Sequence, residues 1–253
     1  MNKLVKIGKI RDKLHRRVPT LGSWMQIPSS SVAEIMGASG YDWVAIDLEH
    51  GAISTHQLPD LFRAIELGGT LPLVRLADGS AQNCKAALDA GAGGVIIPMV
   101  ESASQLERTR SNCCWPPSGT RGVAFSRANL FGKHFKDYIK EAQSPLIVAM
   151  IESIAGLENI AEIIDVSGLD AIFIGPYDLS ASMGIMAQFD DARFIEALAK
   201  ITEAARDKGI PIGIHVVEPS REQVQFRIDE GYCFIAYSID AVMLRLQANY
   251  ESY

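Results

Sequence analysis

The residues best suited to chemistry fall at the ends of short apolar runs. Asp47, Glu49 and His50 lie in Asp-Leu-Glu-His-Gly, directly after Trp-Val-Ala-Ile, and Arg75 closes Pro-Leu-Val-Arg. Glu152 follows Ile-Val-Ala-Met-Ile, Asp178 lies in Gly-Pro-Tyr-Asp after Ile-Phe-Ile, and His215 sits within Ile-Gly-Ile-His-Val. Glu152 and Asp178 are 26 positions apart, about one strand-plus-helix unit. Two like charges held on neighbouring strands repel, and a divalent cation relieves this. Carboxylates with no cysteine nearby favour an oxygen-preferring ion such as Mg²⁺ or Mn²⁺ over structural zinc. Taken singly, either acid reads equally well as a helix N-cap, Asp178 before Leu-Ser in particular.

His50 stands three residues after Asp47, a spacing that permits a carboxylate to orient an imidazole and raise its basicity. The plainer reading is a half-buried histidine bonded to backbone. Arg75 in an apolar strand end needs a partner. Either a carboxylate or oxyanion substrate grips it bidentately, or it makes a structural salt bridge, to Glu49 for instance. No lysine ends an apolar run, which argues against a Schiff-base amine. No G-x-S-x-G elbow, Walker motif or Rossmann glycine motif is present. The four cysteines, Cys84, Cys113, Cys114 and Cys233, include no C-x-x-C pair and read as reduced thiols of a cytoplasmic protein.

The elements that must carry these residues alternate. Apolar runs of strand length are read at 20–25, 43–47, 71–76, 94–98, 146–151, 171–174, 212–216 and 234–237. They are continuous rather than alternating, the pattern of strands buried on both faces of a parallel sheet. Helices are expected between them, at 31–38, 56–67, 81–90, 194–208 and 222–230, several closed by glycine. Eight such units in 253 residues point to an α/β fold, a single (β/α)8 TIM barrel over 1–253, with a doubly wound open sheet as the competitor. Active sites of such barrels lie at the C-terminal ends of the strands, where the residues above converge. The segment 115–144 is expected to be a long βα insertion, a lid or an oligomer contact.

With 24 Lys+Arg against 30 Asp+Glu, the net charge of −6 argues against nucleic acid as a partner. The basic run from Lys3 to Arg17 reads as a solvated first helix. No apolar stretch reaches the length of a membrane span, and no apolar segment of a secretory signal follows the basic start.

The ordered motifs carry a resemblance. Asp47-Leu48-Glu49-His50-Gly51, Pro72-Leu73-Val74-Arg75, Leu88-Asp89-Ala90-Gly91-Ala92, Pro98-Met99-Val100, Pro116-Pro117-x-Gly119-x-Arg121-Gly122, Ile151-Glu152-Ser153 and Phe173-Ile174-Gly175-Pro176-Tyr177-Asp178-Leu179-Ser180 resemble the HpcH/HpaI aldolase family over about 20–240. These are metal-dependent class II pyruvate aldolases of the 4-hydroxy-2-oxoheptanedioate type. The resemblance implies a lyase that cleaves a 4-hydroxy-2-oxo acid to pyruvate and an aldehyde through a metal-stabilised enolate. It implies that Glu152 and Asp178 bind a divalent cation (Mg²⁺, Mn²⁺ or Co²⁺) and that Arg75 holds the keto oxygen. It further implies that His50, oriented by Asp47, acts as acid and base with a metal-bound water. Backbone amides across Gly175, Pro176, Tyr177 and Asp178 would meet the substrate carboxylate, with Glu49 and Asp89 in support. A homohexamer, or trimer of dimers, with exchanged C-terminal helices from Asp240 to Tyr253 is also implied. Met150 replaces a glutamine of some relatives. His215 replaces an apolar residue of the best-known members and is expected near the distal part of the aldehyde substrate. A 2-dehydro-3-deoxyglucarate-type aldolase, an enolate-forming barrel of mutase or hydrolase type, and a non-catalytic barrel with a vestigial site are the alternatives.

Overall fold

Eight runs of Val, Ile, Leu and Ala become the staves of a barrel. In the computed structural model, which describes residues 3–249, they are β1 (Thr20–Met25), β2 (Trp43–Asp47), β3 (Leu71–Arg75), β4 (Gly94–Ile97), β5 (Leu146–Ile151), β6 (Ala171–Ile174), β7 (Ile212–Val216) and β8 (Phe234–Ile239). Every neighbouring pair is parallel, and β8 pairs back onto β1. That closure excludes the open-sheet competitor. Two registers matter for function. Asp47 stands opposite Arg75 across β2 and β3. Ile151 stands opposite Ile174 across β5 and β6, which brings Glu152 and Gly175 out side by side.

The helices in chain order are α1 (Lys3–His15), α2 (Ser30–Ala38), α3 (Leu58–Leu67), α4 (Ala81–Ala90), α5 (Ala103–Cys113), α6 (Phe135–Ala142), α7 (Ile154–Glu158), α8 (Ile160–Ile164), α9 (Pro176–Ser182), α10 (Ala192–Asp207), α11 (Arg221–Asp229) and α12 (Asp240–Ala248). Serine side chains cap α2, α4, α5, α7 and α11, each taking an amide that the first turn leaves unpaired. The helix expected at 56–67 is divided. A short 3₁₀ turn covers Thr55–Gln57, and α3 starts at Leu58 with a proline in its first turn, a position where the missing N–H costs nothing.

Side chains inside the barrel form one cluster, including Trp24, Trp43, Leu73, Val148, Met150, Phe173 and Phe234. Trp43 and Phe234 stack at 4.3 Å. Ile7, Ile10 and Leu14 of α1 belong to the same cluster, so α1 plugs the N-terminal end of the barrel. Its cations are not simply solvated, as the charge pattern suggested. Lys3 donates to the Gly91 carbonyl at 2.8 Å, Lys6 to the Gly69 carbonyl, and Arg11 and Lys13 pair with Asp170 and Asp42. Each of those acceptors lies just before a strand, so the basic run fastens the plug.

The 115–144 segment also differs from expectation. It joins α5 to β5 and is therefore an αβ connection at the barrel's N-terminal end, opposite the rim where a lid would act. It has a small core of its own, Trp115, Tyr138 and Ala142, with Arg121 buried between these rings and Asp89.

Candidate active site

Register and charge together build the first half of the site. Arg75 donates through Nε and Nη2 to both oxygens of Asp47, at 2.9 and 2.6 Å. The Gln26 amide donates to Asp47 at 2.8 Å, and the backbone N–H groups of Glu49 and His50 donate at 3.0 and 3.1 Å. Burial pushes the Asp47 carboxyl up. The hydrogen bonds and charge of Arg75, aided by Gln26 and the His50 amide, outweigh this and hold it below the ordinary value. The guanidinium lies 4.7 Å from the Trp24 ring centroid, a cation–π contact that helps fix its plane.

This arrangement corrects one expected contact. Asp47 is occupied by Arg75 and by backbone, so it meets His50 through the main chain and not through the imidazole. The exposed ring of His50 instead faces Glu49, with Nε2 3.8 Å from Oε2. Glu49 is a third member of the group. Its Oε2 sits 3.2 Å from Arg75 Nη1 without hydrogen-bond alignment, and it is buried with no aligned donor. Burial pushes its carboxyl up despite the opposing charges of Arg75 and His50.

The second half comes from β5 and β6. Glu152 is 2% exposed, and the Met99 amide donates to its Oε1 at 2.7 Å. Burial, with added repulsion from Glu49 and Asp178, raises its pKa to about 7 against the pull of the Met99 amide. Asp178 stands exposed in the first turn of α9. The N-cap position belongs to Gly175, and Asp178 makes no capping hydrogen bond.

A divalent cation is implied by the resemblance, and the residues fit one. Among the described residues no three His, Cys, Asp or Glu side chains form a complete ligand cluster. Glu152 and Asp178 are oxygen donors, and among the described residues nothing donates to Glu152 Oε2 or to Asp178. An ion completing its shell with water and substrate oxygens suits such a pair.

Between these halves lies a cavity of about 150 Å³, lined by Trp24, Arg75, Met150, Phe173, Gly175 to Asp178, His215 and Val217. Pro176 opens α9, and Tyr177 is half exposed with its ring edge-on to Phe189 at 5.1 Å. His215 faces the same space, and its Nε2 lies 3.1 Å from the Ser238 carbonyl oxygen. The structure thus brings together Asp47, Glu49, His50, Arg75, Glu152, Gly175, Pro176, Tyr177, Asp178 and His215 at one end of the barrel. Asp89 is not among them. It lies in the last turn of α4 and pairs with Arg121 at 2.8 Å, so it supports the connector at the far end.

Three participants have no counterpart in the sequence reading. Gln26 braces Asp47, and Trp24 lies under Arg75. Asp240, the first residue of α12, accepts the amides of Gln26 and Ile27 at 2.9 and 3.0 Å. Their signal was a polar or aromatic residue at the end of an apolar run, which applies as well to many surface positions.

Residues 20–245 match the family described as HpcH/HpaI aldolase/citrate lyase. The chain is 36% identical over 239 residues to the 2-dehydro-3,6-dideoxy-6-sulfogluconate aldolase of Pseudomonas putida, covering 93% of this chain and 92% of that one. It is 35% identical to the hydroxypyruvate/pyruvate aldolase of Roseobacter denitrificans, covering 88% and 87%. A solved HpcH/HpaI aldolase/citrate lyase family protein from Burkholderia cenocepacia superposes with a TM-score of 0.88 at 29% identity, covering 95% of this chain and 96% of its own.

Proposed function

We propose, from the premise that this chain belongs to the HpcH/HpaI aldolase/citrate lyase family, that it is a divalent-metal-dependent aldehyde-lyase. Its reaction is the reversible cleavage of a 4-hydroxy-2-oxo acid to a pyruvate-type 2-oxo acid and an aldehyde. One observation carries this reading: a guanidinium locked by Asp47 faces the same cavity as Gly175 to Asp178, beside two carboxylates short of donors.

In cleavage, the C4 hydroxyl loses its proton to a base and the C3–C4 bond breaks. The electron pair moves through C3 and C2 onto the keto oxygen, and C3 later gains a proton. In this reading Arg75 holds that oxygen as charge builds on it, an interaction stronger in the transition state than with the neutral ketone. Because Asp47 has already fixed the guanidinium, little reorganisation remains to be made during the reaction. His50, exposed beside Glu49, is the acid/base for the C4 hydroxyl. The N–H groups of Tyr177 and Asp178 meet the carboxylate, since the Gly175 N–H donates to the Ile151 carbonyl at 3.3 Å and Pro176 has none. Glu152 and Asp178 would hold Mg²⁺, Mn²⁺ or Co²⁺, which supplies Lewis-acid polarisation of the substrate oxygens when bound.

The assembly we infer is a homo-oligomer, a hexamer or trimer of dimers. Phe125, Leu130 and Phe131 are exposed on the connector, and Asp240 is the residue of α12 that is buried. Of the implied exchanged segment, residues 250–253 lie outside the described residues. Among the described residues no helix is long and apolar enough to cross a membrane, and the four cysteines are free and buried, in keeping with a cytoplasmic setting.

The test is direct. Purified protein with Mg²⁺ or Mn²⁺ and a 4-hydroxy-2-oxo acid should release pyruvate, followed by lactate dehydrogenase coupling. Borohydride trapping of a pyruvate adduct on a lysine would replace this reading with the Schiff-base route.

A further inference from the structure

His215 lies in the mouth of the barrel with its two ring nitrogens in different situations. Nε2 is 3.1 Å from the Ser238 carbonyl oxygen. A carbonyl accepts only, so Nε2 carries the hydrogen and the neutral ring keeps a lone pair on Nδ1. The carbonyl itself is firmly placed. Ser238 has φ 54°, it lies where the pairing of β8 with β1 shifts register, and its oxygen also accepts from Ser23 Oγ at 3.3 Å. Burial lowers the His215 pKa to about 4, with Arg75 adding to the effect and the Ser238 bond opposing it. The ring is therefore neutral under ordinary conditions.

Among the described residues nothing hydrogen-bonds to Nδ1, yet it is not one of the sealed-off unpartnered atoms. It is an acceptor open to the cavity, on a wall otherwise made of Trp24, Met150, Phe173 and Val217. A 2-oxo acid has three substituents on its planar C2. Under the aldolase reading, Arg75 on β3 takes the keto oxygen and the Gly175–Asp178 turn after β6 takes the carboxylate. The third substituent, C3, is left to face β7 and β1, where His215 and Trp24 stand.

We infer that His215 is a specificity-determining residue that selects a 2-oxo acid bearing a hydroxyl on C3, the hydroxyl donating its hydrogen to Nδ1. This inference rests on the aldolase reading and sharpens it. A plain methyl at C3 leaves a buried acceptor unpaired, and sites built to bond a hydroxyl reject analogues that lack it. A carboxylate in the same place has no hydrogen to give and is repelled.

The experiment compares hydroxypyruvate with pyruvate as nucleophile toward one aldehyde, glycolaldehyde, in Mg²⁺, for the wild type and His215→Leu. The expected result is a wild-type preference for hydroxypyruvate in kcat/KM, and a fall in the hydroxypyruvate-to-pyruvate ratio of about tenfold or more in the variant, the scale of one lost hydrogen bond. A wild-type preference for pyruvate, or the same ratio in both proteins, overturns the role of His215 and leaves the aldolase reading intact. No aldol product from either nucleophile removes that reading and this inference with it. If His215→Leu does not fold, ¹⁵N-imidazole spectra of the wild type decide. Movement of the His215 Nδ1 resonance with hydroxypyruvate but not pyruvate supports the assignment, and equal behaviour overturns it.

Discussion

Gly175 passes so close to Glu152 that a Cβ built on it would lie 2.5 Å from Oε2 and 2.8 Å from the Glu152 Cβ. Its φ of −99° is open to any residue. The glycine is there for room, and the room belongs to the buried carboxylate. Gly175→Ala should therefore push Glu152 from its place. The expected cost is about 1–3 kcal/mol of stability, typical of overpacking, together with a loss of activity larger than that destabilisation explains. Denaturant unfolding and turnover on the same preparation check both. A variant as stable and as active as wild type would show that Glu152 has slack.

Arg75→Ala should lower kcat by about 10²–10³-fold, the scale of removing one donor to a developing oxyanion. Arg75→Lys should recover little, because a single ammonium cannot reproduce the two-point grip on Asp47. Steady-state cleavage of a 4-hydroxy-2-oxo acid gives the comparison, and unchanged turnover takes Arg75 out of the mechanism.

Asp47 governs the acid limb of stability. Its pKa lies below the ordinary 3.8, so its contribution is present above about pH 4 and is lost as the pH falls through its folded-state value. Glu49, raised by burial, works in the opposite sense, so the comparison has to be wild type against Asp47→Asn. The variant should be less stable near neutrality by about 3–5 kcal/mol, the cost of breaking a buried pair from one side. It should also show a flatter acid limb. Urea midpoints between pH 3 and pH 7 read this out, and parallel curves would mean that Asp47 does not titrate with folding.

Removal of divalent cations with EDTA should abolish pyruvate release, and Mg²⁺ or Mn²⁺ should restore it. In Glu152→Ala neither addition should restore it. Direct titration of Mn²⁺ by electron paramagnetic resonance should show a site in wild type that Glu152→Ala lacks. Full activity under chelation rejects the cation assignment.

The barrel was legible because strands buried on both faces announce themselves as unbroken apolar runs, and the rim followed from where those runs end. Pairing across strands was not. Asp47 sits three residues from His50 but opposite Arg75, 28 positions away, and register is a property of the closed sheet that one sequence does not display. The connector's end of the barrel is hidden in the sequence for a related reason. Helix α5 buries Leu106, Thr109 and Cys113 and has no broad apolar stripe, so its sequence does not announce a helix, and the long segment behind it reads as following a strand. His215 is visible in the sequence as a departure from the resemblance. The free edge of its ring follows from the Ser238 carbonyl, turned by an irregularity in β8 that no residue pattern foretells.

The bonds from Asp240 to the amides of Gln26 and Ile27 span 214 and 213 positions. During translation the loop that braces Asp47 is made early, yet its anchor leaves the ribosome only after β8. A nascent chain carrying seven staves therefore lacks a finished rim. Catalytic competence should arrive as one late event, when the last strand closes the seam.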